Sequence, residues 1–260
     1  MPLAQTPPMN ILVERRGQAA RLVIHRPPLN ILDLVTLREL RATLNATLKD
    51  PEVRMVEFSG AGEIAFSAGT DIRDHVPERA PEMLHEFHAL VRAVLASHYP
   101  TVAVVRGHCL GGGMELALAC DFILASASAR FALPEINVGA FPPVAAVLLP
   151  RLIPEKRALE MILTGEPVTA EDALRLGLVN RIAPDAALED EVRKFSDTLL
   201  ARSSGVLSLA RKAARLGPRQ AFEAALRESE RIYLEELLRA EDAREGVQAF
   251  LEKRTPRWKD

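Results

Sequence analysis

The sequence predicts an α/β core followed by a helical C-terminal region, and three observations support this fold class. The chain has 260 residues, 48% hydrophobic and 26% charged, which is enough to bury a substantial core. Short β-like runs alternate with amphipathic helical runs over the first two thirds, as is typical of parallel strands joined by crossovers. From about Leu188 onward, a composition rich in Ala, Leu, Arg and Glu predicts helices alone.

Hydrophobic periodicity and capping residues define the individual elements. Two strands flank Gly17 at the start of the chain. Asp33 is a candidate N-cap for a helix whose leucines recur every three or four residues up to Leu48. The remaining predicted elements are strand 53–58, helix 81–97, strand 101–105, helix 112–119, strands 122–124 and 131–133, a helix from Thr169 to Gly177, and strand 178–182.

No linker of flexible composition separates the two parts of the chain. We therefore expect residues 1–195 to form the α/β core and residues 196–260 to form the helical C-terminal region.

Composition excludes several classes of protein. A formal net charge of −2 argues against a nucleic-acid partner, which would require a concentrated basic surface. Cys109 and Cys120 are too few for a disulfide framework and lack the clustered spacing of a zinc site. The N-terminus lacks a signal-peptide pattern, and no apolar run is long enough for a membrane span. We expect reduced thiols, a cytoplasmic location and no membrane partner.

A first glycine motif formally fits the dinucleotide-binding pattern. Gly60, Gly62 and Ala65 follow a predicted strand at the spacing of that pattern. The pattern binds a pyrophosphate only when its glycines open a helix. The residues that follow contain Gly69 and show no helical period, so we predict a simple turn.

A second motif, the three glycines Gly111 to Gly113, lies at the start of predicted helix 112–119. The absence of a following Gly-Lys-Ser/Thr excludes a Walker loop. Glycines at a helix N-terminus allow a ligand close to exposed, partly positive N–H groups. A glycine-lined packing contact between helix and strand explains the pattern equally well.

Two glutamates stand out by their positions. Glu115 lies on an otherwise apolar helix, and Glu135 follows Pro134 after strand 131–133. Burial raises the pKa of a carboxyl group toward the range useful for acid–base catalysis. The alternatives are a buried ion pair or a solvent-facing position for Glu115, and a loop carboxylate for Glu135.

The histidines give weaker evidence of function than the glutamates do. His108 adjoins the glycines and could contact a ligand, although a hydrogen-bonded structural histidine is more common. His85 and His88 are three residues apart on a predicted helix, but no HExxH motif or third ligand accompanies them, so we predict no metal site. The Gly-x-Ser-x-Gly motif of serine hydrolases is absent.

Together these motifs make the sequence similar to the crotonase (enoyl-CoA hydratase/isomerase) family over nearly its whole length. The segments that carry the resemblance are RPPLN (26–30), AFSAGTDI (65–72), GHCLGGGMELA (107–117), Asp121, PEI (134–136), LTG (163–165), GLV (177–179) and FLEKR (250–254). The glycine run with its glutamate and the later Pro-Glu form a specific pair of signals.

The resemblance implies a crotonase-like spiral of strand–strand–helix units with a helical C-terminal trimerisation region, assembled as a homotrimer or homohexamer. It implies an acyl-CoA thioester as substrate, with CoA as part of the substrate and no other cofactor. The implied site residues are Thr70 and Gly112 as N–H donors of an oxyanion hole, Glu115 and Glu135 as the acid–base pair, and Ala68, Asp71, Ile72 and Lys253 as CoA contacts.

Retention of both glutamates favours an enoyl-CoA hydratase, a carbon–oxygen lyase that adds water across the conjugated double bond. The alternatives are an isomerase or acyl-CoA hydrolase of the same family and, more distantly, a non-catalytic oligomeric or RNA-associated member.

The chain departs from the family pattern after the second glutamate. Many members have a glycine-rich turn where this chain has FPPVAAV (141–147), and its two prolines are expected to stiffen and narrow that wall of the pocket. A similar segment occurs in the hydratases of aromatic degradation that act on cyclic dienoyl-CoA thioesters, and the RPPLN turn resembles that subgroup too.

Overall fold

The computed structural model describes residues 9–258, without the side chains of residues 216–220. The first residues of the chain, on which the prediction of no signal peptide depends, lie outside this range. The strands are β1 (Ile11–Arg16), β2 (Ala19–Ile24), β3 (Met55–Gly60), β4 (Ala65–Ser67), β5 (Thr101–Val105), β6 (His108–Leu110), β7 (Phe122–Ser126), β8 (Arg130–Ala132), β9 (Val168–Thr169) and β10 (Arg181–Ala183).

The helices lie between and after these strands. They are α1 (Leu34–Leu48), α2 (Ala80–Ala96), α3 (Gly112–Ala119), α4 (Pro143–Leu152), α5 (Glu155–Thr164), α6 (Ala170–Arg175), α7 (Leu188–Leu200), α8 (Ser204–Ala214), α9 (Leu216–Arg231) and α10 (Glu241–Leu251). A π-helical turn, Ile232–Glu236, continues α9.

Two sheets organise the core. The larger has the order β1-β2-β3-β5-β7-β10, in which β1 is antiparallel to β2 and the other pairs are parallel. The smaller has the order β4-β6-β8-β9. Successive strand pairs β3–β4, β5–β6 and β7–β8 therefore send one strand to each sheet, and helices follow each pair. This arrangement confirms the predicted strand–strand–helix fold.

The main hydrophobic core covers one face of the larger sheet, and α7 covers part of the other. Leu188 and Val192 of α7 pack against Val102 and Leu124 of the sheet. Ser196 also donates a hydrogen bond to the buried carboxylate of Glu57 on β3. Helix α7 thus spans the expected boundary between residues 195 and 196, and the division of the chain there stays a prediction.

The predicted last strand begins later than expected. Strand β10 starts at Arg181, because the N–H groups of Leu178 and Val179 both donate to the carbonyl oxygen of Ala173 and close the end of α6. Gly177 has φ +81° there, a conformation that favours glycine after a helix. The C-terminal region is helical, as predicted.

Candidate active site

The three glycines lie between β6 and α3, where backbone segments approach closely. A Cβ atom built on Gly113 would lie 2.5 Å from the carbonyl oxygen of Ser67, so this glycine is required for packing between helix and strand. Gly111 has φ +51°, and a Cβ atom there would lie 2.6 Å from Oε1 of Glu135. The packing contact is therefore present at Gly113, and Gly111 lets the Glu135 carboxyl group approach the main chain. The approach of a ligand to this run stays a prediction.

Gly112 brings the main chain of Thr70 next to the start of α3. A Cβ atom on Gly112 would lie 3.3 Å from the backbone nitrogen of Thr70. Gly112 is the first residue of α3, so its N–H has no acceptor within the helix. The structure thus brings Thr70 and Gly112, the two residues predicted to form an oxyanion hole, together at the positive end of the α3 helix dipole.

Glu115 is buried at 3% exposure, away from bulk solvent, and it forms no ion pair with any residue that the structure describes. Its Oε1 accepts hydrogen bonds from the backbone N–H groups of Val144 and Ala145, each at 2.8 Å. These donors lie in the first turn of α4, which begins at Pro143. Both structural alternatives for Glu115 are therefore wrong: the side chain accepts from the N-terminus of a second helix.

Glu135 lies in a 3₁₀ turn, Pro134–Val138, that follows β8. Its Oε2 is buried and has no hydrogen-bond partner among the described residues. The carboxyl group therefore contains an atom that is cut off from water and unsatisfied, which is not the environment of an ordinary loop carboxylate.

The two carboxyl groups have raised pKa values for different reasons. Burial raises the pKa of Glu115, while the two N–H donors of α4 oppose that rise by stabilising the anion. Burial also raises the pKa of Glu135, and the negative charge of Glu115 raises it further. Because only Glu115 has donors from another segment, it ionises first and Glu135 keeps a proton.

The predicted CoA-contacting segment follows β4 and is tied to the loop before α1. The N–H of Ala68 donates to the carbonyl oxygen of Leu29, and the N–H of Leu32 donates to that of Gly69. Asn30, fully buried, donates from its side-chain nitrogen to the carbonyl oxygen of Ala65. This buried asparagine was not among the predicted site residues, although it stands in the RPPLN segment.

Asp71 and Ile72 continue the same segment. The Asp71 carboxylate caps the short turn Ile72–Asp74 and pairs with Arg73. That hydrogen-bonded guanidinium lowers the pKa of Asp71. The Asp71 side chain is therefore held by its neighbours.

Lys253 lies in the C-terminal helical region. It is exposed after the end of α10, with φ 55°. Within residues 9–258, no hydrogen bond or ion pair joins it to another predicted site residue.

The histidines take separate places. His108 is exposed on β6, and His88 is buried and paired with Glu230 at 2.6 Å. The described residues contain no cluster of three or more metal-ligating side chains. No described helix is both long enough and apolar enough to cross a membrane.

Comparison with known proteins places the chain in a family. The family model described as enoyl-CoA hydratase/isomerase matches residues 14–260. The chain belongs to this family, and the resemblance predicted from its motifs is confirmed.

Individual relatives are similar over nearly their full lengths. A cyclohexa-1,5-dienecarbonyl-CoA hydratase from Thauera aromatica is 35% identical over 97% of this chain and 97% of its own. A carnitinyl-CoA dehydratase from Escherichia coli is 35% identical over 94% of this chain and 96% of its own. These names describe reactions that form or break a carbon–oxygen bond, in agreement with the predicted hydratase-type lyase.

Solved structures agree on the fold. An enoyl-CoA hydratase from Mycobacterium avium subsp. paratuberculosis superposes with a TM-score of 0.88 at 32% identity, covering 98% of this chain and 100% of that one. A carnitinyl-CoA hydratase from Mycobacterium avium gives a TM-score of 0.83 at 34% identity, covering 97% and 99%.

Proposed function

We propose that this chain hydrates the conjugated double bond of an enoyl-CoA thioester at a site formed by Glu115 and Glu135. The observation that carries the proposal is the pair of buried carboxyl groups with unequal environments. The two N–H donors of α4 favour the anion of Glu115, and the partnerless Oε2 of Glu135 favours the protonated acid. A base and an acid at one site are what addition of water requires.

The backbone N–H groups of Thr70 and Gly112 act as the oxyanion hole. Negative charge develops on the thioester oxygen as the double bond is attacked, and two convergent N–H donors at a helix N-terminus stabilise it. Support comes from the close approach of Gly112 to the Thr70 nitrogen.

The reaction then follows from the two carboxyl groups. Glu115 accepts a proton from a water molecule while the water oxygen bonds to Cβ. The electron pair of the double bond moves toward the thioester and forms an enolate held by Thr70 and Gly112. Glu135 donates its proton to Cα and restores the thioester carbonyl. The proton gained by Glu115 returns to Glu135 through solvent, which completes the cycle.

CoA contacts are assigned to the segment after β4. Main-chain groups of Ala68, Asp71 and Ile72 contact the cofactor portion of the substrate, and Lys253 contacts its phosphates from a neighbouring subunit. Support comes from the exposure of Lys253 near the C-terminus.

A homotrimer or homohexamer in the cytoplasm is the proposed assembly. Val206 and Leu209 on α8 are 66% and 68% exposed, and Phe250, Leu251 and Trp258 near the C-terminus are also exposed. Exposed apolar side chains on a C-terminal helical region are typical of surfaces that become buried between subunits.

The proposed acyl group is a cyclic diene. Support comes from the relative in Thauera aromatica and from the rigid segment 141–145, which replaces the family's glycine-rich turn. The test compares the initial rates at which the protein hydrates cyclohexa-1,5-diene-1-carbonyl-CoA, hydrates crotonyl-CoA and dehydrates carnitinyl-CoA. Preference for the cyclic diene supports the proposal, and preference for either acyclic thioester overturns the choice of acyl group. Absence of reaction with all three overturns the hydratase assignment.

A further inference from the structure

Tyr233 lies in the π-helical turn that follows α9, and its side chain is only 2% exposed. Its ring lies 5.3 Å from that of Phe141, in the segment between Glu135 and α4. It packs in a small cluster with Leu34, Met83 and other apolar side chains of α1 and α2. The C-terminal region thus places one aromatic side chain over the segment that connects the two parts of the carboxylate site.

The carboxyl groups of Glu135 and Glu115 act electrostatically on the phenol of this side chain. Burial raises the pKa of the Tyr233 phenol, and the charges of Glu135 and Glu115 raise it further. The phenol therefore stays protonated.

The phenol has no hydrogen-bond partner among the described residues, yet its oxygen is not sealed from solvent. Oε2 of Glu135 also lacks a partner. Leaving a buried polar group unsatisfied is destabilising. Glu135 thus contributes a buried oxygen without a partner, and Tyr233 contributes an unpartnered hydroxyl that solvent can reach. Together they indicate a ligand that supplies the missing hydrogen bonds. Single π-helical turns inside helices are rare and are frequently found at functional sites.

We propose that the Tyr233 hydroxyl holds the reacting water by accepting the hydrogen that Glu115 does not take. This inference rests on the proposed hydration at Glu115 and Glu135. The water oxygen bonds to Cβ, one hydrogen passes to Glu115, and the other stays on the new hydroxyl group and remains hydrogen-bonded to Tyr233. Tyr233 neither gains nor loses a proton, so it contacts the reacting oxygen before and after the step.

The test uses Tyr233→Phe, which keeps the ring and its packing against Phe141. The chain contains one other tyrosine, Tyr99, which provides a matched control as Tyr99→Phe. Tyr99 follows α2, and its ring is tilted against that of His98 with 4.0 Å between the ring centroids. Affinities for 3-hydroxybutyryl-CoA and butyryl-CoA, which differ only in the hydroxyl group, are measured by calorimetry for the three proteins.

Tyr233→Phe is expected to weaken binding of 3-hydroxybutyryl-CoA about 3- to 10-fold, the contribution of one hydrogen bond, without changing binding of butyryl-CoA. Tyr99→Phe is expected to change neither affinity. The kcat of hydration by Tyr233→Phe should fall while KM stays nearly constant. Equal weakening of both ligands by Tyr233→Phe, or no change in either, overturns the inference. Selective weakening in a protein that fails to hydrate any thioester leaves the Tyr233 contact standing and refutes the proposed reaction.

Discussion

Replacement of Glu115 by glutamine tests the base directly, because the change removes the charge and leaves the shape. In the wild type one oxygen of Glu115 accepts both N–H groups at the start of α4, each at 2.8 Å. The amide of glutamine keeps an acceptor oxygen for those donors, so α4 stays capped and the chain folds. What is lost is the ability to accept a proton from water.

The expected loss is that of a general base, about 10²–10⁴-fold in kcat. This corresponds to about 3–5 kcal/mol of transition-state stabilisation. The assay follows disappearance of the conjugated thioester absorbance. Glu115→Ala provides the contrast, because it leaves two buried N–H groups without an acceptor at a cost of about 1–3 kcal/mol each. Denaturant unfolding should therefore show the alanine variant to be less stable than the glutamine variant.

Hydration by Glu115→Gln at more than a tenth of the wild-type rate would refute the assignment of Glu115 as the base. If that variant loses hydration but still moves a double bond between positions, the site is a one-base isomerase that uses Glu135. If the glutamine and alanine variants are equally unstable, the reasoning about the cap of α4 is wrong.

Three further predictions concern pH, the oxyanion hole and assembly. Glu135→Gln should raise Tm at about pH 8 and change it little at about pH 5. The raised pKa of Glu135 gives the folded state stability at low pH that is lost as pH rises through the folded-state pKa, and each kcal/mol shifts Tm by about 2–4 °C. An equal shift of Tm at both pH values would contradict this. Gly112→Ala places a methyl group 3.1 Å from Cγ2 of Thr70 and should lower kcat by about 10²-fold. The control Gly205→Ala, whose added methyl group has no neighbour within 4 Å, should leave kcat unchanged. Comparable rates for the two variants would argue against the oxyanion hole. Light scattering should give three or six times the chain mass of 28.5 kDa, and a monomer mass at micromolar concentration would rule out the proposed trimer.

The larger sheet was predictable from sequence because its central strands are continuous buried runs. Every residue of Thr101–Val105 is buried, and the run is bounded by residues that break helices. The smaller sheet was mostly missed because strands of two or three residues, such as β4 and β9, carry no measurable period. Their pairing depends on tertiary contacts that no local pattern encodes.

Helix α4 was missed for a different reason. Two prolines precede Val144, and the sequence interpretation treated them as a stiff wall and not as a helix start. Pro143 occupies the first position of the helix, where its missing N–H costs nothing and its fixed φ favours the helical conformation. The segment from Pro143 is therefore the start of a helix whose free N–H groups hold a carboxylate.

Glu115 could be identified from the sequence as a candidate site residue, but its hydrogen-bond donors could not. Its donors lie 29 and 30 residues further along the chain, and they are backbone groups without a residue signature. Tyr233 was overlooked because it stands in a region of helical composition, more than 200 residues from the start, where only a contact across the fold reveals its position.

The hydrogen bonds from α4 to Glu115 link substrate range to the pKa of the base, two properties that could otherwise change separately. Under the proposed function, the residues that replace the family's glycine-rich turn form the wall beside the acyl group. Two of these residues, Val144 and Ala145, also supply the N–H groups that stabilise the anion of Glu115. A substitution there that admits a larger substrate also moves the donors and changes the proton affinity of the base. Substrate range and optimum pH should therefore drift together in relatives that differ at these positions, and an engineered change in one will need a compensating change in the other.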